Sequence, residues 1–324
     1  MKNCEVCGTL NFKKDNYCTH CGCRIVEENI CPYCGYKNAD DSDVCIRCNR
    51  HITPISIDKF DDFFTNKNFQ LLVNADLDVA EYSHILSNMF RKLDYTIITG
   101  NTTKEKVIQI ASVFTQVIPK SSGVVFGEYG SPVIFYDDRL DDSLQTSTII
   151  HELAHFIFFD LSVNILCKIL EVKESSVINA FVEYFLTSPD IEIINEFYAH
   201  TVENRFIPLK FQGFESFISC VHGLGLELDD VEDLMYLGYS LAYDVISFLE
   251  EYIDNELRES IKLQFKIDMI TPKKNVVYNL PNVMLPYNEK ISSIIGLMAH
   301  YLHDLSNNKE AREELEYKRS KYND

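Results

Sequence analysis

The sequence predicts an α+β fold, mainly helical with a small β-sheet, preceded by two small repeated modules. Three observations lead to this prediction. Nine of the eleven cysteines fall within the first 48 residues, mostly in Cys-x-x-Cys pairs. Apolar residues then recur every three to four positions along much of the chain, which indicates amphipathic helices. One segment between them, GVVFGEYGSPVIFYDD, is rich in β-branched and aromatic residues, which indicates short strands.

The helical periodicity predicts helices near 79–93, 104–117, 143–159, 174–187, 190–205, 229–253 and 288–319. Two or three strands are expected between the second and third helices. Either 124–128 or 132–136 is expected to lie at the sheet edge, where an extended peptide could pair with it. Residues 51–66 show no clear period and are predicted to link the modules, 1–50, to the helical domain, 67–324.

Composition limits the classes of protein that the chain can belong to. Its 324 residues are 46% hydrophobic, enough for one sizeable domain and a small module. The net charge of −19 argues against coating nucleic acid or an anionic membrane. The most apolar region, 155–170, is broken by Asp160, Asn164 and Lys168, and the first residues, MKNCEVCG, lack the layout of a secretory signal. We therefore expect a soluble, cytoplasmic protein.

The first fifty residues contain a tandem repeat of paired cysteines. A shift of 27 residues superimposes one set of four on the other: Cys4, Cys7, Cys18 and Cys21 on Cys31, Cys34, Cys45 and Cys48. The same shift carries Gly8 onto Gly35 and Asn11 onto Asn38, so the repeat extends beyond the cysteines. It carries Cys23 onto Arg50, which leaves this thiol outside the predicted ligand set.

Four thiolates in two close pairs are the ligands that Zn²⁺ prefers in structural sites. Each module is too short to bury an adequate core, so the metal is expected to supply its folding free energy. The arrangement resembles the double zinc ribbon family over residues 4–50. Residues 1–50 hold seven basic and seven acidic side chains, and eight thiolates around two Zn²⁺ add negative charge. We therefore expect a protein partner for the ribbons, and nucleic acid is not expected.

The sequence His151-Glu152-Leu153-Ala154-His155 lies within the helix predicted over 143–159. The i, i+4 spacing places both imidazoles on one helix face, where they can share a zinc ion. Glu152 projects beside the metal and can accept a proton from a zinc-activated water and later pass it to the leaving amine. Uncharged neighbours on both sides indicate a buried, dry site. The motif therefore predicts a catalytic zinc centre.

A catalytic zinc needs a third protein ligand. The residues after His155, FIFFDL, lack the glycine and third histidine of the metzincin pattern, so the ligand is expected from a later helix. The downstream candidates are Glu171, Glu174, Glu183, Glu192, Glu196, His200, Glu203 and His222. For the group that stabilises the oxyanion, the candidates are Tyr184, Tyr198, His200 and His222.

The segment Asn195-Glu196-Phe197-Tyr198-Ala199-His200 resembles the second motif of gluzincin metallopeptidases, including the compact minigluzincins. The resemblance covers about residues 120–210 and implies a zincin-like fold with Glu196 as third ligand. Glu183 and Glu192 are the main alternatives. In thermolysin-like members an aspartate follows the glutamate by four residues and orients a ligand histidine. Here His200 occupies that position, so a negative charge must come from its own partners.

These observations predict a zinc metallopeptidase that hydrolyses peptide bonds in peptides or one regulatory protein. One catalytic zinc is expected on His151, His155 and Glu196, with Glu152 as general base, and two structural zinc ions on the ribbons. The alternative is a regulatory or scaffold protein that acts through its ribbons without catalysis. The intact Glu152 favours the enzyme.

Overall fold

The computed structural model describes short stretches of the first 54 residues and, beyond them, residues 55–120, 123–125, 132–272 and 284–322. The chain divides into two compact units, Met1–Ile55 and Ser56–Asp324. The described part is mainly helical with a small β-sheet, and the coarse α+β class predicted from the sequence is confirmed.

In the first unit, β1 (Lys2–Asn3) pairs antiparallel with β2 (Leu10–Asn11). Asn38 donates to the Tyr36 carbonyl at 2.9 Å and accepts from the Ile46 backbone N–H at 3.0 Å, beside the buried Cys45. The other predicted ribbon ligands lie outside the described residues: Cys4, Cys7, Cys18, Cys21, Cys31, Cys34 and Cys48. The zinc ribbons therefore stay a prediction.

The second unit contains twelve described helices and a three-stranded sheet. In chain order these are α1 (Phe60–Phe63), α2 (Asn66–Val73), α3 (Val79–Phe90), α4 (Thr103–Ser112), β3 (Gln116–Pro119), β4 (Gly123–Val125), β5 (Val133–Tyr136), α5 (Asp142–Leu170), α6 (Ser176–Leu186), α7 (Pro189–Phe206), α8 (Glu215–Gly223), α9 (Glu232–Tyr252), α10 (Asn255–Ile267), α11 (Tyr287–Asn307) and α12 (Lys309–Arg319).

Each of the seven predicted segments is helical in the structure, with three differences in extent. The helix predicted over 143–159 continues to Leu170 as α5. The helix predicted over 104–117 ends at Ser112, because the chain then turns into β3. The one predicted over 288–319 is two helices, because Asn308 is extended and caps α12 by accepting from the Ala311 backbone N–H. The second unit begins at Ser56, inside the predicted linker, since Phe63 is fully buried against Phe181.

The sheet has the order β3-β5-β4, in which β5 pairs parallel with β3 and antiparallel with β4. The predicted strand at 132–136 is therefore the central one, and all four of its residues are buried. A central strand has no free hydrogen-bonding edge, so it cannot be the edge strand. Of the two segments predicted as the edge strand, only the one that contains β4 lies at an edge of the sheet.

The helix α5 runs through the core of the second unit and contacts α4, α6, α7 and β5. It is long and apolar enough to cross a membrane by length and composition alone, but most of its side chains are buried inside the protein. Such burial is typical of the core helix of a soluble domain. Cytoplasmic localisation stays a prediction.

The helix α7 is held between α5 and α9. It begins with Ser188 as N-cap and Pro189 in its first turn, where proline's fixed φ and missing N–H fit a helix start. The backbones of α7 and α9 meet at Gly238, where a Cβ atom would lie 2.8 Å from the carbonyl oxygen of Ile194. This close approach holds α7 against α9.

The charged C-terminal helix docks on α6, although its sequence predicts a solvated end. The buried Glu183 carboxylate accepts from Tyr322 Oη at 2.8 Å and from Lys318 Nζ at 3.1 Å. Arg319 Nε donates to Ser176 Oγ at 3.0 Å, and Leu315 is fully buried. These contacts join α12 to α6.

We expect Glu183→Gln to lower the free energy of unfolding by about 2–3 kcal/mol, because it leaves the Lys318 ammonium largely buried against a neutral amide. Urea denaturation followed by circular dichroism measures this change. Glu314→Gln, at an exposed position of α12, is the matched control and should leave the stability within about 0.5 kcal/mol. Equal stability of the two variants would show that the Glu183 contacts do not anchor α12.

Candidate metal centre

The two histidines of the HELAH motif meet on one face of α5. His151 Nε2 lies 3.1 Å from His155 Nε2, and the ring centroids are 4.7 Å apart. The His155 side chain is buried and that of His151 is 12% exposed, so the pair lies just beneath the surface. The i, i+4 spacing produces this contact, as the sequence predicts.

Glu196 reaches the histidine pair from α7. Its Oε1 lies 3.5 Å from His155 Nε2, and its Oε2 lies 3.7 Å from His151 Nε2. A tetrahedral zinc ion with bonds of about 2.0–2.1 Å to nitrogen and oxygen needs ligand atoms about 3.4 Å apart. The Nε2–Nε2 separation of 3.1 Å and the Oε1–Nε2 separation of 3.5 Å lie near that value, whereas the 3.7 Å separation from His151 involves the other carboxylate oxygen. The donor set therefore suits a metal ion.

His200, also on α7, lies beside this cluster. Its ring centroid is 4.6 Å from that of His151. His151, Glu196 and His200 each offer an atom within 4.8 Å of the others, a group that could hold a metal ion. However, His200 Nδ1 lies 3.2 Å from Glu203 Oε2, and His200 Nε2 lies 2.7 Å from Ser216 Oγ. Because both of its ring nitrogens have other partners, we interpret His200 as a neighbour of the cluster and not as a ligand.

The outer nitrogens of the two motif histidines are also occupied. Asn195 Oδ1 accepts from His155 Nδ1 at 2.9 Å, and Glu203 Oε2 accepts from His151 Nδ1 at 3.1 Å. In the neutral rings these bonds place the protons on Nδ1, so each Nε2 presents a lone pair. Two lone pairs 3.1 Å apart, facing a carboxylate, require a proton or a cation between them.

The pKa values agree with this requirement. Burial lowers the pKa of His151, but the hydrogen bond and charge of Glu203 outweigh it and raise that pKa to about 9. Burial and the adjacent His151 charge lower the pKa of His155. Burial opposes the charge on Glu203, but hydrogen bonds from His151 and His200 hold its pKa well below the usual range. The pair therefore holds one proton beyond the two on the Nδ1 atoms, and a metal ion would displace it.

Glu152 lies on the same helix between the two histidines, and it is buried. Burial, reinforced by the negative charges of Glu196 and Glu203, raises its pKa to about 7 against the opposing charge of His151. A carboxyl group with a pKa near 7 can both accept and donate a proton at neutral pH. This chemistry is what the sequence predicts for Glu152.

The main alternative ligands lie elsewhere. Glu183 accepts from Lys318 and Tyr322 where α6 contacts α12, so it is not a ligand of this site. Glu192 is exposed, and Glu171 ends α5 with a left-handed backbone, φ 59°.

Two of the four candidate oxyanion donors lie in aromatic packing. Tyr198 is fully buried against Phe158, so it is not available to a substrate. Tyr184, on α6, packs near Tyr301 of α11. His222 is exposed near the end of α8. Among the four, His200 is the one whose ring contacts His151.

Three residues around the site were missed as supports by sequence reasoning. Glu203 was considered only as a ligand, although its position seven residues after Glu196 places it on the same helix face. Ser147, one turn before His151, also donates to the Glu203 carboxylate. Ser216 lies on α8, which was not predicted, and no sequence signal pointed to it.

No family model, curated protein or solved structure matches the chain. The resemblance to gluzincins therefore stays a prediction carried by the motifs and by the arrangement of the side chains.

Glu203→Gln should weaken metal binding at this centre by about 10–100-fold, because the neutral amide removes the negative charge that orients His151 and raises its basicity. The measurement is competition for Zn²⁺ against a chromophoric chelator. Glu192→Gln, an exposed glutamate on the same helix, is the control and should bind as the parent does. Parent-like affinity in Glu203→Gln would contradict the role assigned to this carboxylate.

Proposed function

We propose that the chain is a zinc-dependent peptidase in which His151, His155 and Glu196 hold the catalytic zinc. The observation that carries the proposal is the pair of imidazole Nε2 atoms 3.1 Å apart, each with an oxygen of the Glu196 carboxylate at 3.5 or 3.7 Å, and both imidazoles are oriented by outer hydrogen bonds. The partly buried setting favours tight metal binding, because water cannot fully hydrate these ligands when no metal ion is bound.

Glu152 performs the proton transfers in this proposal. When bound, Zn²⁺ supplies Lewis acidity that activates water and polarises a peptide carbonyl. Glu152 takes the proton from the attacking water and returns it to the leaving amine. Its raised pKa places it near neutrality, so neither transfer is strongly uphill.

His151 and His155 keep one orientation throughout, because Glu203 and Asn195 hold their Nδ1 atoms. Fixed ligands preserve the geometry needed for catalysis at low reorganisation cost. Peptides or proteins are the proposed substrates. The two ribbons are proposed to carry one structural zinc each and to bind a protein partner.

Glu152→Gln should lower peptide hydrolysis by at least about 100-fold, because the amide cannot accept the proton. The zinc content should stay unchanged, since Glu152 is not a ligand. Hydrolysis is measured on a quenched-fluorescence peptide library, with metal content determined on the same samples. Glu192→Gln is the control for an exposed charge loss. Activity that survives Glu152→Gln would contradict the mechanism.

The full chain should contain three zinc ions, and His155→Ala should contain two. The three follow from one ion on the catalytic ligands and one on each ribbon. Inductively coupled plasma mass spectrometry on protein of known concentration gives this ratio. His222→Ala, at an exposed histidine, should keep three. Two zinc ions in the parent and in His155→Ala alike would favour the ribbon-based scaffold.

A further inference from the structure

Ser216, near the start of α8, contacts the proposed third ligand. Its Oγ donates to Glu196 Oε2 and lies 2.7 Å from His200 Nε2. His200 Nδ1 in turn lies 3.2 Å from Glu203 Oε2. A continuous chain of hydrogen bonds therefore joins the carboxylate that orients His151 to the carboxylate of Glu196.

The direction of the bond from Ser216 follows from its chemistry. A serine hydroxyl has one proton, and an ionised carboxylate can only accept. The Ser216 proton therefore goes to Glu196, and the serine oxygen is left to accept from a protonated His200 Nε2. Glu196 Oε2 is thus engaged, while Oε1 faces His155 Nε2 at 3.5 Å.

The helix α8 is fixed in place by a small separate hydrophobic cluster. The Phe197 ring of α7 stacks on Phe214 with centroids 5.1 Å apart, and it meets the Phe217 ring edge-on at 5.0 Å. Just before the helix, the side chain of Asn204 brackets Gly213, donating to its carbonyl at 3.1 Å and accepting from its N–H at 3.3 Å. This packing places Ser216 at the cluster although its side chain is exposed.

We propose that Ser216 is a positioning residue for the zinc ligand Glu196. Its hydroxyl engages Oε2, so that Oε1, which faces His155 Nε2, would be the oxygen left free to bind the metal. This inference rests on the proposed zinc site. It also accounts for His200, which stands where the gluzincin pattern has an aspartate and here supports Ser216.

The test compares full-length Ser216→Ala, Ser216→Thr and Ser219→Ala after Co²⁺ replaces the catalytic zinc. Four-coordinate Co²⁺ absorbs visible light more strongly than five-coordinate Co²⁺, so the band reports how Glu196 binds. The spectrum of His155→Ala, treated in the same way, is subtracted to remove the ribbon contribution. Ser219 is a matched control, because it is an exposed serine of α8 that donates only to the Glu215 carbonyl.

In Ser216→Ala we expect the band to lose about half of its intensity or more and the Co²⁺ affinity to fall about tenfold. Ser216→Thr, which keeps the hydroxyl, should retain the parent band, as should Ser219→Ala. A parent-like band and affinity in Ser216→Ala would overturn the proposal. So would covalent labelling of Ser216 by a fluorophosphonate, which would mark it as a nucleophile.

Failure of the zinc site itself gives a different result. If the parent shows no band that depends on His155, the zinc site and the positioning role fall together. If the parent shows that band and Ser216→Ala keeps it, the zinc site stands and the positioning role alone is lost.

Discussion

The Glu203 carboxylate is the group on which the arrangement of the site depends. It accepts from His151, His200 and Ser147, and so joins α5 to α7 through charged hydrogen bonds. A buried carboxylate is costly unless donors surround it. The three donors meet that requirement, and the carboxylate in return fixes the orientation of His151 and His200. The ligand geometry and the hydrogen-bonded chain to Ser216 both start from this one group.

The apolar core gives these polar contacts their strength. The helix α5 is buried along most of its length, so the site lies at the boundary between a dry interior and the surface. Charges interact more strongly in such surroundings than in water. The raised pKa of Glu152 has the same origin, because burial disfavours its negative charge more than the nearby His151 offsets. One apolar helix thus carries both histidines of the proposed metal site and a carboxyl group whose pKa lies near neutrality.

Local patterns were enough to predict the motif histidine pair and most of the longer described helices, but not α1, α2, α8 and α10. His151 and His155 contact because four residues make about one helical turn, and Glu196 was indicated by its motif. Contacts between distant segments could not be predicted in this way. The helical period through 116–117 hid β3, whose partner β5 follows it by 17 residues in the register. Glu183 pairs with Lys318, which lies 135 residues later in the chain, and no periodic pattern in the sequence indicates such a pair.

The same distinction explains why His200 was only half understood from the sequence. A histidine in place of an aspartate removes a negative charge at that position, and the sequence alone shows only the loss. In the folded chain the negative charge lies one turn further along α7, on Glu203. His200 contacts Glu203 through Nδ1 and Ser216 of α8 through Nε2. The site therefore depends on three helices, α5, α7 and α8, and the last is held by Phe214 and Phe217. Any change that shifts α8 would act on Glu196 without touching the histidines.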